Sequence, residues 1–108
     1  MTELDVRARF DAALPDEYEW DEREATLLAI AERQSAHIEQ LEALLEAQGL
    51  SVKGSTGQNR LNPLVAELRL QYAALSRTVE GIRLPGESPE EKKSPRHQRA
   101  AARRWGAA

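Results

Sequence analysis

The sequence has no cysteine, which removes disulfides, thiolate metal sites and cysteine nucleophiles. No apolar run approaches the roughly 20 residues that a membrane span needs. The start, Met1-Thr2-Glu3-Leu4-Asp5, has neither the basic opening nor the apolar stretch of a signal peptide. Aromatic residues are scarce, with two Trp, two Tyr and one Phe among 108 residues, so a self-sufficient core has few large side chains to draw on. These absences lead to the expectation of a soluble, intracellular, non-enzymatic protein of one small domain or less.

Charge is plentiful and unevenly placed. Residues 1–50 hold 13 acids against 4 bases, a local net of −9, while residues 51–85 hold 5 bases and 2 acids and residues 86–108 hold 6 bases and 3 acids. From Lys92 onward every charged residue is basic: Lys92, Lys93, Arg96, Arg99, Arg103 and Arg104. The formal net charge of −3 therefore conceals an acidic body and a basic tail. Such a tail suits a nucleic acid or an acidic protein surface, and a solvated disordered tail is the plain alternative.

Periodicity is clearest between Asp21 and Gln48. Leu27, Ala31, Gln34, Ile38, Leu41 and Leu45 follow 4-3-4-3-4 spacing, flanked by Ile30, His37 and Leu44, which makes a broad helical apolar stripe. Asp21 is placed to cap this helix, Glu22 and Glu24 suit the positive end of its dipole, and Gly49 can take the left-handed conformation that stops it. A second helix starts at Asn62-Pro63, an N-cap followed by a proline at the first helical position. Val65, Leu68, Tyr72, Leu75 and Val79 continue at 3-4-3-4, with Ile82 in series, until Gly81 and Leu84-Pro85-Gly86 end it. The residues 50–61 between them contain two glycines and several small polar side chains, and read as a flexible connection. Two such helices fold back as an antiparallel hairpin.

A helix over 22–48 spans roughly 40 Å and one over 63–80 roughly 27 Å, so the overhang falls at the start of the first. Leu4, Val6, Phe10 and Leu14 form a short amphipathic pattern ending at Pro15 that is expected to cover Leu27, Leu28 and Ile30 there, with Trp20 alongside. A single hairpin buries little apolar surface against its ordering entropy, so self-association through the hairpin is expected. The residues assigned to it are Leu27, Ile30, Ile38, Leu41, Leu45, Val65, Leu68, Tyr72, Leu75 and Val79. The organisation is then 1–18, a short helix and acidic linker; 19–86, the hairpin core; and 87–108, a basic flexible tail. Ser94-Pro95 opens a possible short helix over 95–105, with Arg96, Arg99 and Arg103 at 3-4 spacing and Trp105 at its end.

Catalytic chemistry finds little support. His37 has no second ligand at helical spacing and reads as a packing or interface residue, and His97 reads as an extra donor within the arginine run. Gly54-Ser55-Thr56-Gly57 lacks the Lys-Ser/Thr of a phosphate loop and follows no buried strand. The acids at Asp16, Glu17, Glu19, Asp21, Glu22 and Glu24 are explained by capping and solvation rather than by calcium or general acid–base work. No cofactor or metal is expected.

The order of these elements resembles a known family. A tryptophan and acidic N-cap, a long helix, Gly49, a polar glycine loop, Asn62-Pro63, a second helix and Gly81-Ile82-Arg83-Leu84-Pro85 are similar, over about residues 18–86, to the small subunit of phage terminases, in the subfamily typical of long-tailed phages. Those proteins often carry a closing "LGLTP"-like turn; here Arg83 intrudes and the threonine is absent. The resemblance implies an all-α, non-catalytic protein assembled into a ring-like homo-oligomer, to which the periodicity adds the antiparallel hairpin and the short N-terminal helix, itself outside the matched stretch. It also implies binding of double-stranded viral DNA, transfer of that DNA to the large ATPase–nuclease subunit, and a location in the cytoplasm of an infected bacterium, with no membrane or small-molecule partner.

The residues expected to meet DNA are the tail bases Lys92, Lys93, Arg96, Arg99, Arg103 and Arg104, with Lys53 and Arg60 of the interhelix connection second. Repetition around a ring would multiply Lys53, Arg60, Arg69, Arg77 and Arg83 into a basic band. No helix-turn-helix is present, because twelve residues separate the helices rather than a tight turn. The alternative is an oligomeric helical-hairpin adaptor whose basic tail binds an acidic protein and not DNA; a small dimeric transcription regulator ranks third, for want of a recognition helix.

Overall fold

A computed structural model describes residues 4–86 of the chain. Its elements run α1 (Val6–Ala13), α2 (Glu22–Gln48), β1 (Ser51–Lys53), β2 (Asn59–Leu61) and α3 (Leu64–Glu80). The described residues are mostly helical, and α2 and α3 pack against each other as a hairpin. The expected helical character is found, with the addition of a small two-stranded sheet between α2 and α3.

Helix α2 begins where the cap predicts. Asp21 Oδ1 accepts the Glu24 N–H at 2.8 Å, and Glu22 and Glu24 lie in the first turn. It ends at Gly49, whose N–H donates to the Leu45 carbonyl at 2.7 Å. Gly49 has φ +86° and ψ 166°, so its φ is positive as expected while its ψ is extended, a combination open essentially to glycine alone. The chain thus leaves the helix directly into β1.

The connection expected to be flexible is a β-hairpin. β1 and β2 pair antiparallel with Ser51 opposite Leu61, Val52 opposite Arg60 and Lys53 opposite Asn59. The Gly57 N–H donates to the Gly54 carbonyl at 3.0 Å and the Gly54 N–H to the Gln58 carbonyl at 2.7 Å. Gly57, at φ +86°, supplies the positive-φ residue that a three-residue hairpin loop requires. The two glycines that suggested looseness define a specific turn.

Helix α3 starts one residue later than the proline suggested, at Leu64, with Pro63 in helical geometry ahead of it. Asn62 still acts as a cap, since its Oδ1 accepts the Leu64 N–H at 3.0 Å. At the far end Gly81 closes the helix at φ −77°, so no positive φ is used there. Ile82 and Arg83 then leave the helix outside any regular element, and the Arg83 N–H reaches Glu24 near the start of α2.

The core contains Val6, Leu28, Ala31, Ile38, Leu68, Leu75 and Ile82, with Leu4, Phe10, Trp20, Leu27, Leu41, Leu45 and Val79 packed around it. The expected cover for the α2 overhang is therefore supplied twice. Helix α1 brings Val6 into the core with Leu28, and Ile82, 2 % exposed, fills the space beyond α3. Ile30 departs from expectation: it is 43 % exposed. Residues 28 and 30 lie about 200° apart around a helix, so a segment covering Leu28 cannot also cover Ile30.

Candidate functional site

Beyond α2, the basic residues of the described chain divide into two groups. Lys53 and Arg60 are exposed on β1 and β2 at the end of the helical hairpin. Side chains directly opposite in an antiparallel pair share a face, and successive residues alternate. Arg60 therefore shares a face with Val52, while Lys53 shares the other with Asn59. The structure brings the two bases to one end of the molecule but sets them on opposite sides of the ribbon. The hairpin end is nonetheless free of acids, because none occurs between Glu46 and Glu67.

Arg69 and Arg77 are exposed on α3, near the exposed Leu70. Arg83 lies past the helix, in the exit segment, where its backbone N–H donates to Glu24 Oε2 at 3.0 Å. Arg23 reaches the same region, with Nη1 3.4 Å from the Gly81 carbonyl. Lys92, Lys93, Arg96, Arg99, Arg103 and Arg104, the first-choice DNA contacts, lie outside the described residues, as do His97, Trp105 and the short helix expected over 95–105.

The residues assigned to self-association have different fates within one chain. Ile38, Leu68 and Leu75 are buried between α2, α3 and their neighbours, and Leu27, Leu41, Leu45 and Val79 pack against that core. Val65 is half-buried. Only Ile30 and Tyr72, at 43 % and 40 % exposure, leave much of their surface open, and the Tyr72 hydroxyl donates to Glu42 Oε2 at 2.7 Å. Leu44, Leu50, Leu61 and Leu70 are further exposed apolar side chains outside that set.

Two polar residues hold the hairpin in register. Asn62 is 2 % exposed; its Nδ2 donates to Gln48 Oε1 and to the Gly49 carbonyl, each at 3.0 Å, and its own N–H donates to the Leu50 carbonyl at 2.7 Å. Glu24, also 2 % exposed, fastens the other end through Arg83. The sequence signalled Asn62 as a cap through the following proline, but its second role needs Gly49 brought alongside. Glu24 gave no signal beyond its place in a first turn.

A shallow depression of about 160 Å³ lies where α1 meets α2, lined by Leu4, Asp5, Val6, Glu32, Ser35 and Glu39 among others. Arg7 pairs with Glu32 at 3.3 Å on its edge, and Ser35 Oγ is buried without a hydrogen-bond partner. Among the described residues no group of His, Cys, Asp or Glu is placed to hold a metal ion, and no helix is long and apolar enough to cross a membrane. His37 stands exposed on α2. No family model matches the chain, and neither a curated protein nor a solved structure is significantly similar to it.

Proposed function

We propose that the chain is a small terminase subunit: a non-catalytic, ring-like homo-oligomer that binds double-stranded viral DNA and presents it to the large ATPase–nuclease subunit for packaging. The observation that carries this reading is the segregation of charge along one hairpin. Its α2 start is acidic, its β-ribbon end is free of acids and carries Lys53 and Arg60, and from Lys92 onward all six charged residues are basic. A ring of such chains concentrates the basic ends, and each phosphate neutralised adds about one unit to the dependence of log K on log salt. The order of elements that resembles the terminase family supports the same conclusion. The tail carries most phosphate contacts in this reading, and the site of action is the cytoplasm of the infected host.

The test is duplex DNA binding across a salt series, with the full chain and with a chain lacking residues 87–108. Removal of the tail is expected to weaken binding and flatten the salt slope. An unchanged slope moves the contacts to Lys53 and Arg60. The adaptor reading, a hairpin whose tail binds an acidic protein, is favoured by one feature: Lys53 and Arg60 face opposite ways, so the ribbon does not present a single basic surface. A full chain with no salt-dependent DNA binding would overturn the terminase subunit and leave the adaptor as the favoured reading.

A further inference from the structure

Helix α2 carries a second seam. Ile30, Gln34, His37, Leu41, Leu44 and Gln48 follow the same 4-3-4-3-4 spacing as the row that packs on α3, displaced from it by three residues and sharing Gln34 and Leu41. At 100° per residue this displacement turns the seam by about 60°, a sixth of a turn, from the row that packs on α3, on the side away from α1. The α1 side is fixed by the depression at Glu32, Ser35 and Glu39 and by the Arg7–Glu32 pair. Among the described residues the two outer apolar side chains of the second seam are left open: Ile30 is 43 % and Leu44 45 % exposed.

Its charge is unlike the rest of the helix. Glu24, Glu32, Glu39, Glu42 and Glu46 all fall within a stripe of roughly 80° away from the second seam, and no acid falls on the seam itself; of the α2 acids only Glu22, in the first turn, lies on its outer flank with Thr26, Arg33 and Gln40. In a segment whose local net charge is −9, an acid-free apolar row is a surface on which two copies can approach without like-charge repulsion. Gln34 adds a second sign, because its Oε1 is buried without a hydrogen-bond partner in the single chain. Rotation of that amide toward the seam would offer the oxygen to a donor from outside.

We propose that this seam is the contact between two copies of the chain, with α2 packed antiparallel on α2 in the register that sets Gln34 against His37 of the second copy. The same register sets Ile30 against Leu41 and Leu27 against Leu44, so apolar meets apolar and the one polar layer pairs an amide oxygen with an imidazole N–H. Polar layers of this kind fix register in helical seams. A parallel pair would crowd the acids at 16, 17, 19, 21, 22 and 24 of both copies together. The antiparallel pair instead lays each acidic start beside the other copy's acid-free ribbon end, with Lys53 and Arg60. It also opposes the helix dipoles. The α2–α3 layer is about 40 Å long and two helices wide, a footprint on the order of 700 Å² per copy, close to the roughly 800 Å² a side of stable interfaces. The contact is isologous, so any ring assembled on it is built of pairs.

This inference rests on the hairpin fold and is independent of DNA binding. The test is the solution mass of the full chain by light scattering, beside Ile30→Glu/Leu44→Glu, and a crosslinking experiment on Gln34→Cys and His37→Cys made separately and mixed. The natural chain has no cysteine, so any disulfide reports the contact. The expected results are a dimer or an even multiple, a monomer of unchanged helicity for the glutamate variant, and a 34–37 heterodisulfide in excess of either homodisulfide. A monomeric wild-type chain at micromolar concentration, an unaltered mass for the glutamate variant, or predominant 34–34 and 37–37 disulfides would overturn it. Failure of DNA binding with the pair intact would overturn the terminase reading alone.

Discussion

The Glu24 carboxylate accepts the backbone N–H of Arg83 at 3.0 Å, joining residues 59 positions apart. Glu24 occupies the third position of α2, and its own N–H is held by Asp21, so one turn of helix both caps itself and receives the end of the hairpin. This contact lets the two residues after Gly81 do what α3 is too short to do. It seats Ile82, almost wholly buried, over the part of α2 that α3 does not reach.

Glu24→Ala is expected to lower stability by about 1–3 kcal/mol, the usual cost of removing a charged acceptor from a buried hydrogen bond. Glu24→Gln retains an oxygen at the same reach and should lose less than half as much. Urea unfolding followed by helical circular dichroism, at one fixed protein concentration, measures both. Equal losses would mean that the negative charge, rather than the acceptor, holds the exit segment.

Asn62 separates capping from clamping. As a helix cap, Asp serves as well as Asn. Here, however, Nδ2 donates to two acceptors, Gln48 Oε1 and the Gly49 carbonyl, and a carboxylate would face both with no proton to give. Asn62→Asp is therefore expected to be more destabilising than Asn62→Ala, which costs about 2 kcal/mol through the lost cap and clamp together. The order of the two unfolding midpoints decides the matter: Asp above Ala would reduce Asn62 to a cap.

The contrast between Asn62 and the ribbon beside it shows what the sequence could convey. Helix α2 was legible to the residue, because its signals are local: Asp21 before the first turn, a sustained apolar row, and Gly49 after the last. Asn62 was half legible, as its capping role is local and its clamp is not. The ribbon was missed because three-residue strands carry almost no alternation, and Gly54 and Gly57 suit a loose loop as well as a turn with a positive φ. For the candidate site, the composition located the bases but not their sides of the ribbon, which depend on the Val52–Arg60 pairing. The exposed row at Ile30 and Leu44 was visible as a flank of the stripe. That it lies away from α1 follows only from which side α1 occupies.

Two glycines that end helices are predicted to respond differently to alanine. Gly49 has φ +86° with open space where a Cβ would stand, so the cost is conformational and of about 1–3 kcal/mol. Gly81 has an ordinary helical φ, and its added methyl would meet Leu27 Cδ1 at 3.1 Å and the Thr78 carbonyl at 3.3 Å. Leu27 is a flexible, partly buried side chain at a helix end, so Gly81→Ala is expected to cost under about 1 kcal/mol. Thermal unfolding of the two variants should therefore differ by several degrees in midpoint. A Gly81→Ala variant as unstable as Gly49→Ala would show that Leu27 cannot yield.

Helix α1 is the element expected to leave first. Eight residues are too few for a helix to persist alone in water, so its order depends on docking. That docking uses Val6 in the core, an edge-to-face contact between Phe10 and Trp20 at 6.2 Å and 68°, and the Trp20 Nε1–H donating to Asp11 Oδ1 at 2.8 Å. Phe10→Ala removes the ring contact and part of the apolar cover, a loss of about 1–2 kcal/mol. In a Trp105→Phe background, which leaves Trp20 as the single indole, this variant should show red-shifted emission and readier quenching by acrylamide. The main unfolding transition of α2 and α3 should remain. Loss of that transition along with the Trp20 signal would instead make α1 part of one cooperative unit with the hairpin, its contact over Leu28 being needed to keep α2 and α3 together.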